Sequence, residues 1–251
     1  MKDIHSHILY GIDDGSRDLD ESITILKKLE KNNITELVLT PHYIIGSKYD
    51  CDNRKKKEIL DRLQKNTSIK LYLGNEIYID NDILKYINED KISSINGTKY
   101  ILIEFPLSRK LSCVEELIFN LRNNDYIPII AHPERYHYYT IEELVKFVDL
   151  GCLFQGNITS LIGKYGRNAK NNLELLLKKQ MISVLGTDTH RDFDYSIDEA
   201  LLKLEKLVDS NYYNDLVEDN FDKIINNKKV PEYTVKTTKS FFRKEKIRWK
   251  K

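Results

Sequence analysis

The sequence predicts a single α/β domain in which a parallel β-sheet closes into a barrel. Seven short runs rich in Ile, Val and Leu alternate with longer stretches of helical periodicity, the order expected of parallel strands joined by crossover helices. Histidine and acidic residues stand at, or just after, the carboxyl ends of several of these runs. An open sheet gathers its site at one switch point, whereas a barrel draws on many strand ends, so this spread favours closure.

The predicted strands are runs of four to seven mostly apolar residues, a length typical of buried parallel strands. In chain order they are Lys2–His5, Glu36–Thr40, Lys70–Glu76, Tyr100–Glu104, Ile127–Ala131, Cys152–Asn157 and Ile182–Leu185. The helices predicted between them are Leu19–Lys31, Arg54–Lys65, Val114–Asn123, Ile141–Leu150, Ala169–Lys179 and Ile197–Asp209. Asp18, with Glu21 three residues later, predicts a capping box at the start of the first helix.

Length and charge exclude several classes of protein. The 251 residues suffice for one large domain, and 40 Lys and Arg nearly balance 39 Asp and Glu, so no net field favours nucleic acid. No apolar run approaches the roughly 18 residues that a membrane span needs, and no signal-peptide pattern follows Met1. The sequence therefore predicts a cytoplasmic protein.

The three cysteines predict neither a disulfide framework nor a zinc ribbon, because they are odd in number and widely spaced. None of Cys51, Cys113 and Cys152 begins a Cys-x5-Arg phosphate-binding loop. Buried or surface thiols are the expected outcome.

The C-terminal segment differs in composition from the rest of the chain. We expect a barrel over residues 1–225 and a basic, aromatic tail over 226–251, in which Phe241, Phe242 and Trp249 are interleaved with lysines. Two interpretations remain open. The tail packs its aromatic side chains on the barrel, or it makes a peripheral contact with an anionic membrane or an acidic partner.

Two pairs of residues predict a metal site. His5 and His7 point to the same face of an extended chain, and Asp188 and His190 repeat that spacing at the last strand. If the barrel closes, the first and last strands are neighbours and the two pairs meet. Single pairs of this kind are weak evidence, but two at adjacent strand ends are much stronger.

Two acidic residues extend the predicted site. Glu76 and Glu104 each end an apolar strand, where an uncompensated buried carboxylate is costly. A buried salt bridge to Arg or Lys would satisfy either residue, whereas a metal ion would satisfy both at once. His137 lies among tyrosines in a loop and is left out.

The complete predicted ligand set holds five imidazoles and four carboxylates. It comprises His5, His7, Asp14, His42, Glu76, Glu104, His132, Asp188 and His190. Three divalent ions would leave this set at about +2, a charge that attracts phosphate and lowers the pKa of a bound water. Nitrogen and oxygen ligands without thiolate favour Mn, Fe or Zn. Arg135 and Arg191 follow predicted ligands, and their guanidinium groups would either hold phosphate oxygens, the role we favour for Arg135, or form surface salt bridges.

Residues 1–225 resemble the polymerase-and-histidinol-phosphatase (PHP) family of phosphoesterases. The closer resemblance is to the bacterial protein-tyrosine phosphatases of that family that are encoded with capsule and exopolysaccharide genes. It is carried by the segment from His5 to Ser16, which reads His-Ser-His-Ile-Leu-Tyr-Gly-Ile-Asp-Asp-Gly-Ser, and by Thr40-Pro41-His42 and Ala131-His132-Pro133-Glu134-Arg135-Tyr136. Gln155-x-Asn157 and the stretch from Leu161 to Ala169 also match.

The resemblance implies a distorted (β/α)7 barrel that holds three metal ions, most simply Mn. It assigns His5, His7, Glu76 and Asp188 to one ion, with Glu76, Glu104 and His132 on a second. The third ion takes the remaining residues, Asp14, His42 and His190. Asp14 and Glu104 stand where other branches of the family more often have histidine, which favours the tyrosine-phosphatase branch.

The activity implied is direct hydrolysis of phosphotyrosine by a metal-bridging hydroxide, without a phosphocysteine. The implied partner is the phosphotyrosine tail of a membrane-associated tyrosine autokinase, with no role for nucleic acid. Tyr10 replaces a usual Pro, and Thr189 and Arg191 depart from a more familiar Asp-Ala-His-Asn. Alternatives are a phosphatase for a small metabolite such as histidinol phosphate, a metal hydrolase of amide or phosphodiester bonds, and a non-catalytic module of the same fold.

Overall fold

Nine short parallel strands form two sheets in the computed structural model, which describes residues 1–191 and 196–231. The strands are β1 (Lys2–Asp3), β2 (Glu36–Leu39), β3 (His42–Tyr43), β4 (Lys70–Leu73), β5 (Glu76–Tyr78), β6 (Tyr100–Glu104), β7 (Ile127–Ala131), β8 (Leu153–Asn157) and β9 (Val184–Gly186). One sheet has the order β1-β2-β4 and the other β3-β5-β6-β7-β8-β9.

Backbone hydrogen bonds beyond the strand ends join the two sheets into a closed barrel. The amide of Ile4 donates to Leu185 O at 3.2 Å, and Ser6 forms a parallel bridge with Thr189. On the other side, Glu76 N, at the start of β5, lies 3.2 Å from Pro41 O and 3.3 Å from Thr40 O, so the pairing of β2 with β4 continues into that of β3 with β5. Since β2 with β3, and β4 with β5, each occupy one place in the wall, the barrel has seven positions. The predicted fold class is confirmed.

One predicted strand is broken and another is followed by a short strand that was not predicted, and both features place side chains in the site. Strand β2 ends at Leu39, one residue before the predicted end, and Pro41 separates it from β3 because proline has no amide hydrogen to donate to a ladder. Gly74 interrupts Lys70–Glu76 at a point where an added Cβ would lie 2.8 Å from Ile95 Cδ1. After the breaks, β3 and β5 pair with His42 opposite Glu76, so these two side chains become neighbours.

The helices lie outside the barrel and agree with the predicted helices to within three residues. They are α1 (Leu19–Lys31), α2 (Asn53–Gln64), α3 (Ile83–Asn88), α4 (Val114–Asn123), α5 (Ile141–Asp149), α6 (Gly166–Lys178), α7 (Ile197–Leu207), α8 (Ser210–Asn214) and α9 (Asn220–Ile225). The sequence analysis missed α3, α8 and α9, and also the π-helical turn Asp215–Asp219 between the last two.

Only one of the two hydrogen bonds of the predicted capping box is present at the start of α1. Asp18 caps the helix by accepting a hydrogen bond from Glu21 N at 2.9 Å. The reciprocal bond of a capping box is absent, because the Glu21 carboxylate binds Arg17 instead, accepting from its backbone N at 2.6 Å. The predicted capping box is therefore wrong, and the nearby guanidinium is the reason, since it draws the carboxylate away from the cap.

Alternation along the strands divides the core into an inner and an outer layer. Leu102 and Ile129 belong to the cluster that fills the barrel, which Phe221 of α9 also enters. Ile101 and Ile103 belong to the outer cluster formed with the helices. Because side chains alternate along a strand, Glu104 at the end of β6 faces the same way as Leu102 and lies above the apolar filling.

The described part of the tail, residues 226–231, is hydrogen-bonded to the barrel through Tyr100. Tyr100 OH donates to Lys228 O at 2.6 Å and accepts from Val230 N at 3.2 Å. The predicted contacts of Phe241, Phe242 and Trp249 fall outside the described residues. Within the described residues, no helix is long and apolar enough to cross a membrane.

Candidate metal centre

The carboxylate of Glu76, at the start of β5, is the centre of the predicted site. It is 1% exposed, and Oε2 lies 3.3 Å from His5 Nε2, 3.2 Å from His7 Nε2 and 3.0 Å from His42 Nδ1. Oε1 lies 2.9 Å from His132 Nε2. Among the described residues the close partners of this buried carboxylate are thus imidazoles, which is the pattern expected of metal ligands rather than of a salt bridge to Arg or Lys.

The first ligand group comprises His5, His7, Glu76 and Asp188. The Nε2 atoms of His5 and His7 are 3.0 Å apart, and Asp188 Oδ1 lies 3.7 and 3.5 Å from them. Four ligand atoms arranged tetrahedrally about 2.1 Å from an ion would be about 3.4 Å from each other. The distances of the two imidazoles from each other and from each carboxylate are therefore close to those expected around one divalent cation.

A second group surrounds Asp14, which lies in a bend of the chain between β1 and α1. Its Oδ1 lies 3.6 Å from His42 Nε2 and 3.5 Å from His190 Nε2. The ring of His7 stacks on that of His190 with centroids 3.9 Å apart, and these four residues form one of the groups that could hold a metal. The group matches the third set implied by the resemblance, with His7 added.

The third group lies between Glu76 and Glu104. Glu104 Oε1 is 3.7 Å from His132 Nε2, and Oε2 is 3.8 Å from His42 Nδ1. His42 thus turns one nitrogen to this group and the other to Asp14, and a neutral ring can offer a lone pair to only one of them. The structure brings all nine predicted ligands into one connected cluster at the carboxyl end of the barrel.

Hydrogen bonds on the outer side of three rings orient them toward the centre. His5 Nδ1 lies 2.9 Å from Gln155 Oε1, His7 Nδ1 2.7 Å from Asp13 Oδ2 and His190 Nδ1 3.1 Å from Asp188 O. If each Nδ1–H donates to these oxygens, each Nε2 keeps its lone pair for a metal, as is usual around ligating histidines.

Asp188 is oriented in the same way by three donors on one oxygen. Oδ2 accepts from Asn157 Nδ2 at 2.8 Å, Tyr165 OH at 2.8 Å and an Arg135 guanidinium N–H at 3.1 Å. The other oxygen, Oδ1, is left facing the imidazoles of the first group.

Sequence reasoning missed the supporting residues Asp13, Gln155, Lys164 and Tyr165. Asp13 adjoins a predicted ligand, and Gln155 lies in a matched segment, so their positions carried a signal. Their roles depend on which way each side chain turns, and the sequence does not specify that.

The electrostatics of the cluster require positive charge at its centre. Burial alone would lower the pKa of His5, but the carboxylates of Glu76 and Asp188 outweigh it and raise the pKa to about 9. The same balance, dominated by Glu76, raises the pKa of His42 to about 10. Burial, with Arg135 adding to it, lowers the pKa of His132 to about 4. In the metal-free protein, protons therefore take the place that cations would fill.

Burial also acts on the carboxylates of the cluster. It raises the pKa of Glu104 to about 8, assisted by the neighbouring charge of Glu76. For Glu76, burial is outweighed by His5, His42 and the hydrogen bond from His132, so its pKa is held well below its usual value. Glu76 thus stays ionised while Glu104 holds a proton, until further positive charge enters the cluster.

A cavity of about 380 Å³ opens beside the cluster. Its walls are formed by Asp14, Arg135, Lys164, Tyr165, Asp188, His190 and Arg191. Arg135 stacks over the Tyr165 ring at 4.5 Å, and Arg191 Nε donates to Gly15 O at 2.7 Å. Both predicted arginines therefore line one space that also exposes three of the predicted ligands, as phosphate binding would require.

His137 lies outside the cluster. Its ring packs beside that of Tyr138 with centroids 5.6 Å apart, and none of the possible metal groups among the described residues includes it.

Backbone strain marks two of the predicted ligands. His132 has φ 32° and Asp188 has φ 52°, both in the left-handed region that residues other than glycine seldom adopt. Such strain costs on the order of 1–3 kcal/mol per residue and is concentrated at functional sites. Here it turns each side chain inward just after its strand ends.

Gly15 gives a first test of this geometry. A Cβ at this position would lie 1.9 Å from His7 O, so we expect Gly15→Ala to displace the turn that carries Asp13 and Asp14. The variant should lose bound metal and about 1–3 kcal/mol of unfolding free energy. Elemental analysis and chemical denaturation would measure the two effects.

Gly97→Ala is the control for Gly15→Ala. Gly97 has φ +69° with open space around it, so strain alone should destabilise this variant by about 1 kcal/mol and leave its metal content intact. Full metal content in Gly15→Ala would contradict the proposed role of this turn.

Comparison with known proteins identifies the family. The chain belongs to the CpsB/CapC family of capsular polysaccharide synthesis, whose model matches residues 1–226. This confirms the branch indicated by the sequence motifs. Putative tyrosine-protein phosphatase CapC of Staphylococcus aureus is 35% identical over 197 residues, which are 76% of this chain and 77% of that protein. Tyrosine-protein phosphatase YwqE of Bacillus subtilis is 34% identical over 217 residues, 82% of this chain and 84% of that one.

The fold comparison agrees with the sequence comparison. A chain from the crystal structures of YwqE from Bacillus subtilis and CpsB from Streptococcus pneumoniae, described as unique metal-dependent tyrosine phosphatases, superposes with a TM-score of 0.87 at 30% identity. The match covers 95% of this chain and 100% of that chain.

Proposed function

We propose that this protein is a metal-dependent protein-tyrosine phosphatase that uses its nine-residue His, Asp and Glu cluster to hydrolyse phosphotyrosine. The observation that carries the proposal is the connection between two features: predicted ligand atoms 2.9–3.8 Å apart around buried Glu76, and an adjoining cavity lined by Arg135 and Arg191. A phosphate placed there would meet cations on both sides. The similarity to tyrosine-protein phosphatase YwqE supports the choice of substrate.

The proposed cofactor is a set of three divalent ions, most simply Mn, with Fe or Zn as alternatives. His5, His7, Glu76 and Asp188 would hold one ion. Glu104 and His132 would share Glu76 around a second, and Asp14, His42 and His190 would hold a third. When bound, such ions lower the pKa of a bound water and neutralise charge on a phosphoryl group.

The chain's own residues would then bind and orient the substrate. Arg135, fixed by Asp188 and by the Tyr165 ring, presents its guanidinium to the non-bridging oxygens of the phosphate. Arg191, anchored at Gly15, does so from the facing wall. Asp13 and Gln155 keep their imidazole partners in the tautomer that the ions require.

None of the possible metal groups among the described residues includes Cys51, Cys113 or Cys152. Cys152 is 3% exposed and lines a separate cavity of about 630 Å³ together with Tyr100 and Lys229, none of which belongs to the cluster. Burial raises the pKa of its thiol, whereas a nucleophilic cysteine needs a lowered one.

The proposed physiological substrate is the phosphotyrosine tail of a membrane-associated tyrosine autokinase, met in the cytoplasm. Membership of a capsular polysaccharide synthesis family supports a partner in that process. An extended peptide tail suits the cavity because the cavity opens at the carboxyl end of the barrel, where loops follow every strand.

Turnover of a substrate panel tests the function. On protein loaded with Mn, we expect phosphotyrosine peptides to be hydrolysed with a kcat/KM at least about tenfold above those of phosphoserine peptides and histidinol phosphate, a difference of about 1.4 kcal/mol. Chelation should abolish turnover, and added Mn should restore it. Preference for histidinol phosphate would overturn the substrate in favour of a small metabolite, and activity that survives chelation would overturn the metal mechanism.

A further inference from the structure

On the basis of the proposed phosphatase function, we infer that Lys164 binds the phenolic oxygen of the departing tyrosine. Its ammonium group stabilises the negative charge that this oxygen acquires as the ester bond breaks. Neither the predicted ligand set nor the two predicted arginines include this residue.

The chain after β8 brings Lys164 back to the site. A short 3-10 helix, Ile158–Ile162, ends at Gly163, whose φ of 90° reverses the chain direction. Lys164 N then donates to Thr159 O at 3.3 Å, and the half-buried side chain reaches the cavity, where Nζ lies 3.3 Å from Asp188 O.

The three cations that line the cavity differ in the shape of their charged groups. Arg135 is fixed by its bond to Asp188 Oδ2 at 3.1 Å and its stacking on Tyr165, and Arg191 by its bond to Gly15 O at 2.7 Å. Their planar guanidinium groups match the paired non-bridging oxygens of a phosphate. Lys164 offers a compact point charge, with Nζ 3.3 Å from Asp188 O and 5.1 Å from the centre of the Tyr165 ring, and a point charge suits a single oxygen.

The reaction leaves one oxygen for such a group to stabilise. Water oxygen forms a bond to phosphorus as the ester P–O bond breaks, and the electron pair of that bond moves to the phenolic oxygen. The phenolic oxygen ends as tyrosine with one proton from water, and the other proton remains on hydrogen phosphate. Attacking and leaving oxygens lie in line, so the leaving oxygen points away from the attacking water, and Lys164 is one of the three cations that line the cavity.

The test compares Lys164→Met with the wild type on Mn-loaded enzyme, using 4-nitrophenyl phosphate, phenyl phosphate and a phosphotyrosine peptide. Nitrophenolate is a good leaving group and needs little help, whereas the phenol and tyrosine oxygens need it. We expect kcat/KM to fall about 100-fold on the latter two and less than about threefold on 4-nitrophenyl phosphate. Lys164→Arg should recover part of the loss. Lys170→Met, on the following helix, should behave as wild type.

The outcomes separate this inference from the proposed function. An equal loss on all three substrates would mean that Lys164 binds the phosphate itself, and no loss on any would mean that it has no role, so either result overturns the inference alone. A wild-type enzyme without metal-dependent turnover of any aryl phosphate would overturn the proposed function instead. Circular dichroism and metal content, expected to be unchanged in Lys164→Met, exclude misfolding as the cause of a selective loss.

Discussion

Glu76→Gln is expected to reduce kcat/KM on phosphotyrosine by more than about 1,000-fold, because it removes the charge shared by the whole cluster. Four imidazole nitrogens lie within 3.3 Å of this carboxylate. A neutral amide cannot supply the negative charge that a bridging ligand provides between two cations. Its N–H₂ group would also point a donor at nitrogen atoms that must keep their lone pairs.

The measurements are metal content per chain and steady-state turnover. Glu76→Gln should bind at least one ion fewer than the wild type and remain folded, since the side chain keeps its size. Wild-type metal content together with wild-type turnover would show that Glu76 is not a ligand.

A matched control exists in Glu134, another buried glutamate near the site. Its Oε1 accepts from Asn157 N at 3.0 Å and Ser160 Oγ at 2.9 Å, and no hydrogen-bond partner of Oε2 is present in the described part of the chain. Glu134→Gln therefore preserves the existing bonds and should retain all bound metal. Loss of metal in both variants would point to general sensitivity of this region rather than to ligation by Glu76.

The sequence placed the predicted ligand residues at strand ends more accurately than it traced the backbone that carries them. His132 follows β7 and Glu104 ends β6, so apolar runs followed by a ligand residue were sufficient to place both. The break at Gly74 and the short strand β3 after Pro41 were not predicted. Gly74 lies where Ile95, a residue distant in sequence, packs closely, since an added Cβ would be 2.8 Å from Ile95 Cδ1, and only the folded barrel shows that approach.

The hydrogen bonds that orient the predicted ligands could not be predicted from the sequence for a related reason. Tyr165 and Asn157 both donate to Asp188, although the three residues lie on separate parts of the chain. Short helices such as α3 and α9 were missed because six residues are too few to show a helical period clearly. Such elements are defined by what they pack against, as Phe221 shows by closing the barrel interior.

Removing the metal ions is expected to make the stability of the protein fall steeply as pH rises from about 6.5 to 10. The raised pKa values of His5, about 9, and His42, about 10, mean that the metal-free folded state binds protons that the unfolded chain, with histidine near 6.5, releases. Their stabilising effect is complete below pH 6.5 and is lost as pH passes through the folded values. Glu104, with a pKa of about 8, adds to the loss from about pH 4.3 upward.

In the chelated protein we expect the loss to be on the order of a few kcal/mol, which corresponds to a fall in melting temperature of roughly 10 °C between pH 6.5 and 10. Bound cations replace the protons, so the Mn-loaded protein should show little of this dependence and a higher melting temperature throughout. Differential scanning calorimetry with and without chelator measures both curves. Parallel curves would mean that the cations do not occupy the cluster, because occupancy necessarily removes the titration of its imidazoles.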